Sequence, residues 1–151
     1  MIVGDCLLLR ATIQEPNPSP HRINFYEGSS LELFIGSEEQ GVHKEKPSQF
    51  FMLPPGNGET ARFVGMMEFG SPESVAYRAW LTPSGWGLQL CAPLAVLGVS
   101  WPAGIFRFDL LLNVRSSVGG QNLLHLPVWG MRSNFTDASL LAVFEVVPLS
   151  H

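Results

Sequence analysis

Glycine and proline divide this chain into short apolar runs. The shortness of these runs limits what the chain can fold into. The 15 glycines and 12 prolines are spread along all 151 residues. Several of the runs between them alternate apolar and polar residues with a period of two, as in Cys6–Ile13. Short alternating runs separated by turn signals are typical of all-β sandwiches and barrels. A long helix is not expected, because no segment keeps a helical period.

The runs between the glycines and prolines predict about eight strands, at 6–13, 31–35, 49–53, 61–69, 75–81, 86–92, 105–114 and 140–147. The segment 93–98 begins with proline and ends with glycine, which predicts one short helical turn. Eight strands in a chain of this length fit a two-sheet antiparallel β-sandwich of the jelly-roll kind. We expect residues 1–151 to form one all-β domain.

The charge pattern excludes some partners. The net charge is -4 and there is no run of lysine or arginine, so nucleic-acid binding is not expected. No apolar run is long enough to cross a membrane, so a membrane partner is not expected either. Charged residues make up 15% of the chain, below the roughly 25% of typical soluble domains. The surface is therefore expected to be sparsely charged.

The N-terminus and the cysteines bear on the cellular compartment. The first residues lack the basic segment and cleavage site of a signal peptide. We therefore expect a cytoplasmic location, or an extracytoplasmic one if a segment precedes this sequence. Cys6 and Cys91 fall in apolar strand-like runs, which favours two buried, reduced thiols. A disulfide is the alternative and would need an oxidising compartment.

Motifs of catalysis are absent from the sequence. Each of the four histidines stands alone, no Gly-x-Ser-x-Gly elbow is present, and no glycine-rich loop opens a helix. There is also no Cys-x-x-Cys pair or Cys/His cluster to hold zinc. We therefore expect a protein that is not an enzyme and that needs no metal or cofactor.

Two loop aromatics, Tyr26 and Phe135, are the strongest functional candidates. Tyr26 lies in a loop that leads into the predicted strand 31–35, and Phe135 lies in a loop before the last predicted strand. Flat aromatic rings in loops offer large, rigid, weakly polar surfaces to a ligand. The pair is therefore a candidate ligand-binding feature.

The chain resembles the family 9 carbohydrate-binding modules and the wider group of DOMON-like sandwiches. The matching pieces include Gln49-Phe50, Gly-Trp-Gly-Leu-Gln-Leu-Cys-Ala-Pro at 85–93 and Phe-Arg-Phe-Asp-Leu-Leu-Leu-Asn at 106–113. Further pieces are 7–16, 26–35 and the closing segment from Trp129 to Asp137. The resemblance implies a non-catalytic module in which two aromatics clamp a terminal sugar. It covers nearly the whole chain.

The resemblance also implies roles for individual residues. Tyr26 and Phe135 stand where the family has its two clamping aromatics, and Glu32 matches the family's carboxylate. Gln49 matches a glutamine in the next strand, and Arg132 stands where the family has an amide. These five residues are the candidate saccharide-binding site.

The sequence departs from the family pattern at three kinds of position. Both clamping aromatics are tryptophan in the family, so Tyr26 and Phe135 offer smaller faces. Phe51 replaces a sugar-binding arginine, which makes the predicted slot more apolar. Gly36 and Val114 replace family carboxylates, so the family's structural metal ions are not expected here.

One expectation about partners and two alternatives accompany this interpretation. Family members carry strands before the one that matches 7–13, so an open edge is expected there, where a homodimer or a partner strand could pair. A DOMON-like domain could instead bind another apolar ligand, or haem through Met66, Met67 or His125. The sparsely charged surface could also serve a protein–protein interaction module without sugar binding.

Overall fold

The structure is a computed structural model of the 151-residue chain. It describes residues 1–39, 42–43, 47–65, 74–99, 105–115, 123–127 and 142–145. Side chains are described at 1–36, 47–65, 74–99 and 108–115.

Eleven antiparallel strands are found in this part of the chain. Their bounds are β1 (Ile2–Val3), β2 (Cys6–Ile13), β3 (Ser30–Glu39), β4 (Val42–His43), β5 (Ser48–Leu53), β6 (Arg62–Gly65), β7 (Ala76–Thr82), β8 (Gly85–Pro93), β9 (Ile105–Arg115), β10 (Leu123–Pro127) and β11 (Ala142–Glu145). They form two sheets, which confirms the predicted two-sheet antiparallel β-sandwich.

The smaller sheet has the strand order β1-β2-β8-β7, and the larger has β10-β9-β3-β5-β6. In the larger sheet β11 pairs with the start of β9, and β10 pairs with its end. The short β4 pairs with the end of β3, beyond the part of β3 that pairs with β5. The long strands β3 and β9 therefore form the middle of the larger sheet.

The core lies between the two sheets and follows the predicted alternation. Leu31, Leu33 and Ile35 lie two residues apart on β3, face inwards and are buried. From the smaller sheet the core receives Leu7, Ile13, Trp86, Leu88, Leu90 and Ala92. Apolar burial of this kind, at about 25 cal/mol per Å², supplies most of the stabilisation of such a sandwich.

The predicted helical turn at 93–98 is a hydrogen-bonded turn too short to form a helix. The N–H groups of Val96 and Leu97 bond to the carbonyl of Pro93, and the N–H of Val99 bonds to that of Leu94. Gly98 closes the turn at a φ of +77°, a conformation that glycine adopts without a Cβ penalty. The turn buries Leu94 and Leu97 in the core.

Some elements were missed by the sequence analysis. The two-residue strands β1 and β4 are too short to show a period, and β10 combines three leucines with a terminal proline instead of alternating. A 3-10 turn at Phe25–Glu27 was also not predicted. The predicted strand 61–69 is described at 61–65, where β6 begins at Arg62, and the predicted strand 140–147 is described at 142–145, which form β11.

The cysteines are half-buried, not buried as predicted. Cys91 lies opposite Leu8 and Ala76, on the outer face of the smaller sheet, which carries polar residues such as Arg10 and Gln89. An antiparallel sheet commonly has one packed and one solvated face, so a residue on this face is only partly covered. Within the described residues, no helix is long and apolar enough to span a membrane.

Glu15, which follows the end of β2, is a buried carboxylate that connects the two sheets. Glu15 accepts hydrogen bonds from the Ser29 hydroxyl (2.5 Å), the Trp86 indole N–H (2.9 Å) and the backbone N–H of Arg115 (3.0 Å). Trp86 belongs to the smaller sheet and Arg115 to the larger. Because the donors come from distant segments, this carboxylate fixes one corner of the sandwich and the start of the loop to β3.

Candidate functional site

Tyr26 lies in the 3-10 turn that precedes β3, and local hydrogen bonds shape this turn. The Nδ1 atom of His21 accepts the backbone N–H of Asn24 at 2.8 Å. The carbonyl of Asn24 in turn accepts the N–H of Glu27 at 2.8 Å. The Tyr26 side chain is 45% exposed. A largely exposed aromatic on a turn anchored in this way is available to a ligand at little cost in ordering.

The end of the turn packs tightly against the preceding loop. At Gly28 a Cβ atom would lie 2.2 Å from the backbone nitrogen of His21, so no other residue fits without moving backbone. The next residue, Ser29, donates its N–H to the carbonyl of Ser19 at 3.0 Å. These contacts position the turn relative to the start of β3.

Phe25 fixes the same turn onto the outer face of the larger sheet. Its ring packs against Phe51 with centroids 5.5 Å apart, and the Arg62 guanidinium lies 5.7 Å from its centroid. The Ser30 hydroxyl also donates to the carbonyl of Phe25 at 3.1 Å. The turn that carries Tyr26 is therefore attached to β3, β5 and β6.

Glu32 lies on this outer face, because its neighbours Leu31 and Leu33 point into the core. It is nevertheless buried, with 2% of the residue exposed. Its Oε2 accepts the Gln49 side-chain N–H at 2.7 Å, and its Oε1 accepts a short hydrogen bond from the Asn113 side-chain amide. Asn113 also donates to the Ser30 hydroxyl at 2.9 Å. We call Glu32, Gln49 and Asn113 the outer-face cluster.

Burial dominates the electrostatics of the outer-face cluster. The pKa of Glu32 is raised above 4.5 by desolvation, and the hydrogen bonds from Asn113 and Gln49 partly oppose that rise. In the described part of the chain both donors are neutral amides, which stabilise a carboxylate less than a cation does. Glu32 therefore holds its proton more readily than an exposed glutamate.

Apolar side chains flank the outer-face cluster. Phe51 lies directly opposite Glu32 across the β3–β5 pair, and Leu111 lies opposite it across the β3–β9 pair. Both are buried, as is Phe34 on the same face of β3. Apolar side chains therefore border the carboxylate on both neighbouring strands.

The structure brings some of the predicted site residues together. Glu32 and Gln49 are in direct contact, and Tyr26 lies on the turn attached to the same sheet face. Phe135 and Arg132 lie outside the described residues. Asn113 was not among the predicted site residues, although a period of two along β9 puts it on the same face as Asp109.

The residues proposed for haem are described only in part. Met66 and Met67 lie outside the described residues. His125 belongs to β10, opposite Asn113 in β9, and its side chain is not described. The haem alternative remains a prediction.

An open pocket is present at one end of the sandwich. It contains none of the predicted site residues and is lined by Asn17, Pro18, Ser19, Gly56, Asn57, Leu81 and Arg115. This pocket mixes polar and apolar groups around a single guanidinium. The outer-face cluster remains the better candidate, because it combines a desolvated carboxylate with converging amides and a nearby exposed aromatic.

The fold of this chain is similar to that of two solved structures. A family 9 carbohydrate-binding module from Caldicellulosiruptor kristjanssonii in complex with cellotriose matches 97% of this chain and 75% of its own, with a TM-score of 0.71 and 14% identity. A structure described as such a module from the same organism, in complex with glucose, matches 96% of this chain and 72% of its own, with a TM-score of 0.73 and 14% identity. No protein-family model and no curated protein sequence matches the chain.

The chain thus has the fold of the family 9 carbohydrate-binding modules, as the sequence resemblance implied. At 14% identity the likeness defines the fold and leaves the ligand open. The wider resemblance to DOMON-like domains is not confirmed by these matches.

Proposed function

We propose that this protein is a non-catalytic carbohydrate-binding domain that grips a saccharide end between Tyr26 and Phe135. The observation that carries the proposal is the outer-face cluster on the same sheet face as the Tyr26 turn, in a fold shared with modules bound to cellotriose and glucose. Tyr26 and Phe135 supply the apolar walls, and Glu32, Gln49 and Arg132 supply hydrogen bonds.

The chemistry of the outer-face cluster suits a polyol. An ionised carboxylate accepts hydrogen bonds from two neighbouring hydroxyls, and amides both donate and accept. Buried polar groups of this kind also discriminate strongly, because a ligand without matching hydroxyls leaves them unpaired. Gln49 and Asn113 hold the Glu32 carboxylate in place from the two neighbouring strands.

The burial of Glu32 sets a condition on binding. Because 2% of the residue is exposed, a sugar can reach the carboxylate only if the groups that cover it move aside. The proposal therefore includes a local rearrangement over the outer-face cluster when the saccharide binds. Exposed Tyr26 makes the first contact, and Glu32 orients the bound ring.

Calorimetry with cellotriose and with glucose tests this function. The wild-type protein is expected to bind a saccharide, and the double variant Tyr26→Ala/Phe135→Ala is expected to lose that binding. Stacking of a base on an aromatic ring contributes roughly 1–3 kcal/mol, and a similar loss per ring would abolish weak binding. No binding by the wild type, or equal affinity in the double variant, would reject the proposal.

A matched control separates the clamp from general surface effects. Ile23 lies three residues before Tyr26 and is 76% exposed. Ile23→Ala removes exposed apolar area close to the turn without touching the proposed ring contact. Its affinity is expected to equal that of the wild type. If Ile23→Ala weakens binding as much as Tyr26→Ala does, the slot has been assigned to the wrong surface.

A second candidate function is pairing with another strand at the outer edge of β2. Among the described residues, β1 pairs with β2 on that side, at Cys6 and Leu7. The backbone bonds between Met1 and Leu8 extend this cover by one residue. The part of β2 towards Ile13 therefore presents edge groups that a homodimer or a partner strand could use.

Light scattering across a range of protein concentrations tests the edge. A dimer that is lost in Arg10→Pro would support pairing of two copies through β2, because proline removes an edge N–H. Leu81→Pro on β7, the other edge strand of the smaller sheet, is the control: by the alternation of antiparallel hydrogen bonds its N–H points away from β8, and the variant should leave a dimer intact. A monomer at all concentrations, with no partner protein retained, would reject this candidate.

A further inference from the structure

Cys6 and Cys91 lie close together on the outer face of the smaller sheet. In the β2–β8 pair, Leu8 lies opposite Cys91 and Cys6 lies opposite Pro93. The two cysteines are therefore offset by two residues on neighbouring strands, which puts their side chains on the same face as diagonal neighbours. Both are half-buried and free.

The surroundings of the two thiols are consistent with direct interaction. The Cys6 thiol lies 3.5 Å from a carboxylate oxygen of Asp5. The pKa of Cys6 is raised by desolvation, then by Asp5, and then by the charge and hydrogen bond of Cys91. Arg10 is the nearest cation along the same face of β2, and Arg78 lies on that face of β7. The described residues contain no group of three metal-ligand side chains.

We propose that Cys6 and Cys91 form a redox-active dithiol that closes to an intramolecular disulfide by exchange with low-molecular-weight disulfides. One cysteine thiolate attacks the small disulfide, forms a mixed disulfide and releases one small thiol. The second thiolate then attacks the protein sulfur, forms the Cys6–Cys91 bond and releases the second thiol. Two electrons pass from the protein sulfurs to the small disulfide, and two small thiols are produced.

The register predicts that this bond is easily reversed. Diagonal neighbours in an antiparallel pair have Cα atoms about 7–8 Å apart, slightly beyond the roughly 4.4–6.8 Å of most disulfides. Closure must therefore draw the start of β2 and the end of β8 together. A partly exposed bond that requires such movement belongs with the labile disulfides, not the permanent ones.

Asp5 sets the rate in this scheme. Its carboxylate opposes the formation of a thiolate at Cys6, and the thiolate is the attacking species. Asp5→Asn removes this charge and leaves both cysteines in place. Disulfide closure is therefore expected to be faster in Asp5→Asn than in the wild type.

Thiol trapping tests the proposal on the native protein. The reduced protein is treated with oxidised glutathione, alkylated with iodoacetamide and weighed intact. The expected product is a monomer that has lost the mass of two hydrogen atoms and takes up no alkyl group. A protein that still takes up two alkyl groups, keeps bound glutathione or forms a disulfide-linked dimer would overturn the proposal.

Two comparisons test whether disulfide closure needs both thiols and the folded sheet. Cys6→Ser and Cys91→Ser are each expected to stop at the glutathione adduct, because the second thiol is missing. Closure is also expected to be faster in the folded protein than in urea, since the sheet holds the thiols together. Equal rates in the folded and unfolded protein would show that the β2–β8 register does not create the pair. No acceleration in Asp5→Asn would show that Cys6 is not the attacking thiolate.

Discussion

Glu15 and Glu32 are two buried carboxylates that do different work. They are 3% and 2% exposed, respectively. Glu15 accepts hydrogen bonds from a hydroxyl, an indole and a backbone N–H that belong to separate parts of both sheets. Glu32 accepts hydrogen bonds from two amide side chains on the strands beside it. The difference lies in what the donors are and whether they can move.

Two of the three donors of Glu15 are fixed, and those of Glu32 are adjustable. An indole ring packed in the core and a backbone N–H cannot turn away or change from donor to acceptor. The amide groups of Gln49 and Asn113 can rotate and offer either an oxygen or an N–H. A ligand can therefore replace or share the partners of Glu32, whereas any change at Glu15 leaves buried donors unpaired. This contrast separates structure from candidate function.

The largest expected effect is at Glu15. Glu15→Gln puts an N–H group against donors that cannot rearrange, so at least one buried hydrogen bond is lost. Removing one partner of a buried polar group costs about 1–3 kcal/mol, and more for a charged group. We expect the free energy of unfolding to fall by about 3 kcal/mol, measured by urea denaturation.

Glu27→Gln is the control for the Glu15 variant. Glu27 is an exposed carboxylate in the Tyr26 turn, and a surface substitution of this kind changes stability by about 0.5 kcal/mol or less. If Glu15→Gln is no more costly than Glu27→Gln, the corner at Glu15 does not hold the sheets together.

A smaller effect on stability is expected at Glu32. In Glu32→Gln the amides of Gln49 and Asn113 can turn to pair with the new side chain, and the cost of burying a charge disappears. We expect the free energy of unfolding at neutral pH to change by about 1 kcal/mol or less. Saccharide affinity is expected to fall by about tenfold or more, because a hydrogen bond to a charged group contributes roughly 1.5–3 kcal/mol.

Each of the two measurements on Glu32→Gln has an outcome that would contradict the prediction. Calorimetry with cellotriose measures affinity, and urea denaturation measures stability on the same preparation. A loss of about 3 kcal/mol would make Glu32 a structural group like Glu15. Unchanged affinity in a stable Glu32→Gln variant would remove Glu32 from the binding site.

The pH dependence of stability sharpens the contrast further. Because burial raises the folded-state pKa of Glu32 above 4.5, the folded protein holds this proton more tightly than the unfolded chain. The stabilisation is therefore present below the ordinary pKa and is lost as pH rises through the raised pKa. Glu32→Gln has no such titration.

The measurement is the difference in unfolding free energy between the wild type and Glu32→Gln between about pH 4 and pH 7. This difference is expected to shift in favour of the variant as pH rises. Glu27→Gln, measured in parallel, controls for the general pH response of the sandwich. A difference that stays constant, or that shifts in favour of the wild type, would contradict the burial of Glu32 as a charged group.

The sequence predicted on which face of a strand a residue lies better than it predicted whether that face is covered. Alternation placed Leu31, Leu33 and Ile35 in the core and therefore Glu32 on the outer face, and the structure agrees. It could not show that the outer face is covered, because alternation specifies a side and not what packs on it. The burial of Glu32 and its bond to Asn113 were therefore missed.

Long-range polar contacts were also beyond the sequence. Glu15 reaches Trp86 and Arg115, which are 71 and 100 residues away. No local pattern records which loop brings a carboxylate to a distant indole. The sequence did place Tyr26 in a loop before β3, because the apolar period begins after it. The 3-10 turn, however, depends on a hydrogen bond that the Asn24 N–H donates to His21 Nδ1, which no periodicity records.

The smallest expected effect on stability is at Tyr26. Tyr26 is 45% exposed and lies on the 3-10 turn outside both sheets, so Tyr26→Ala leaves no cavity in the core. We expect the free energy of unfolding to stay within about 0.5 kcal/mol of the wild type, while saccharide binding is lost. Phe25→Ala in the same turn is the matched comparison, because its ring packs on Phe51 and beneath Arg62. That variant is expected to melt at a lower temperature. If Tyr26→Ala is as destabilised as Phe25→Ala, Tyr26 is a packing residue and the clamp loses one of its walls.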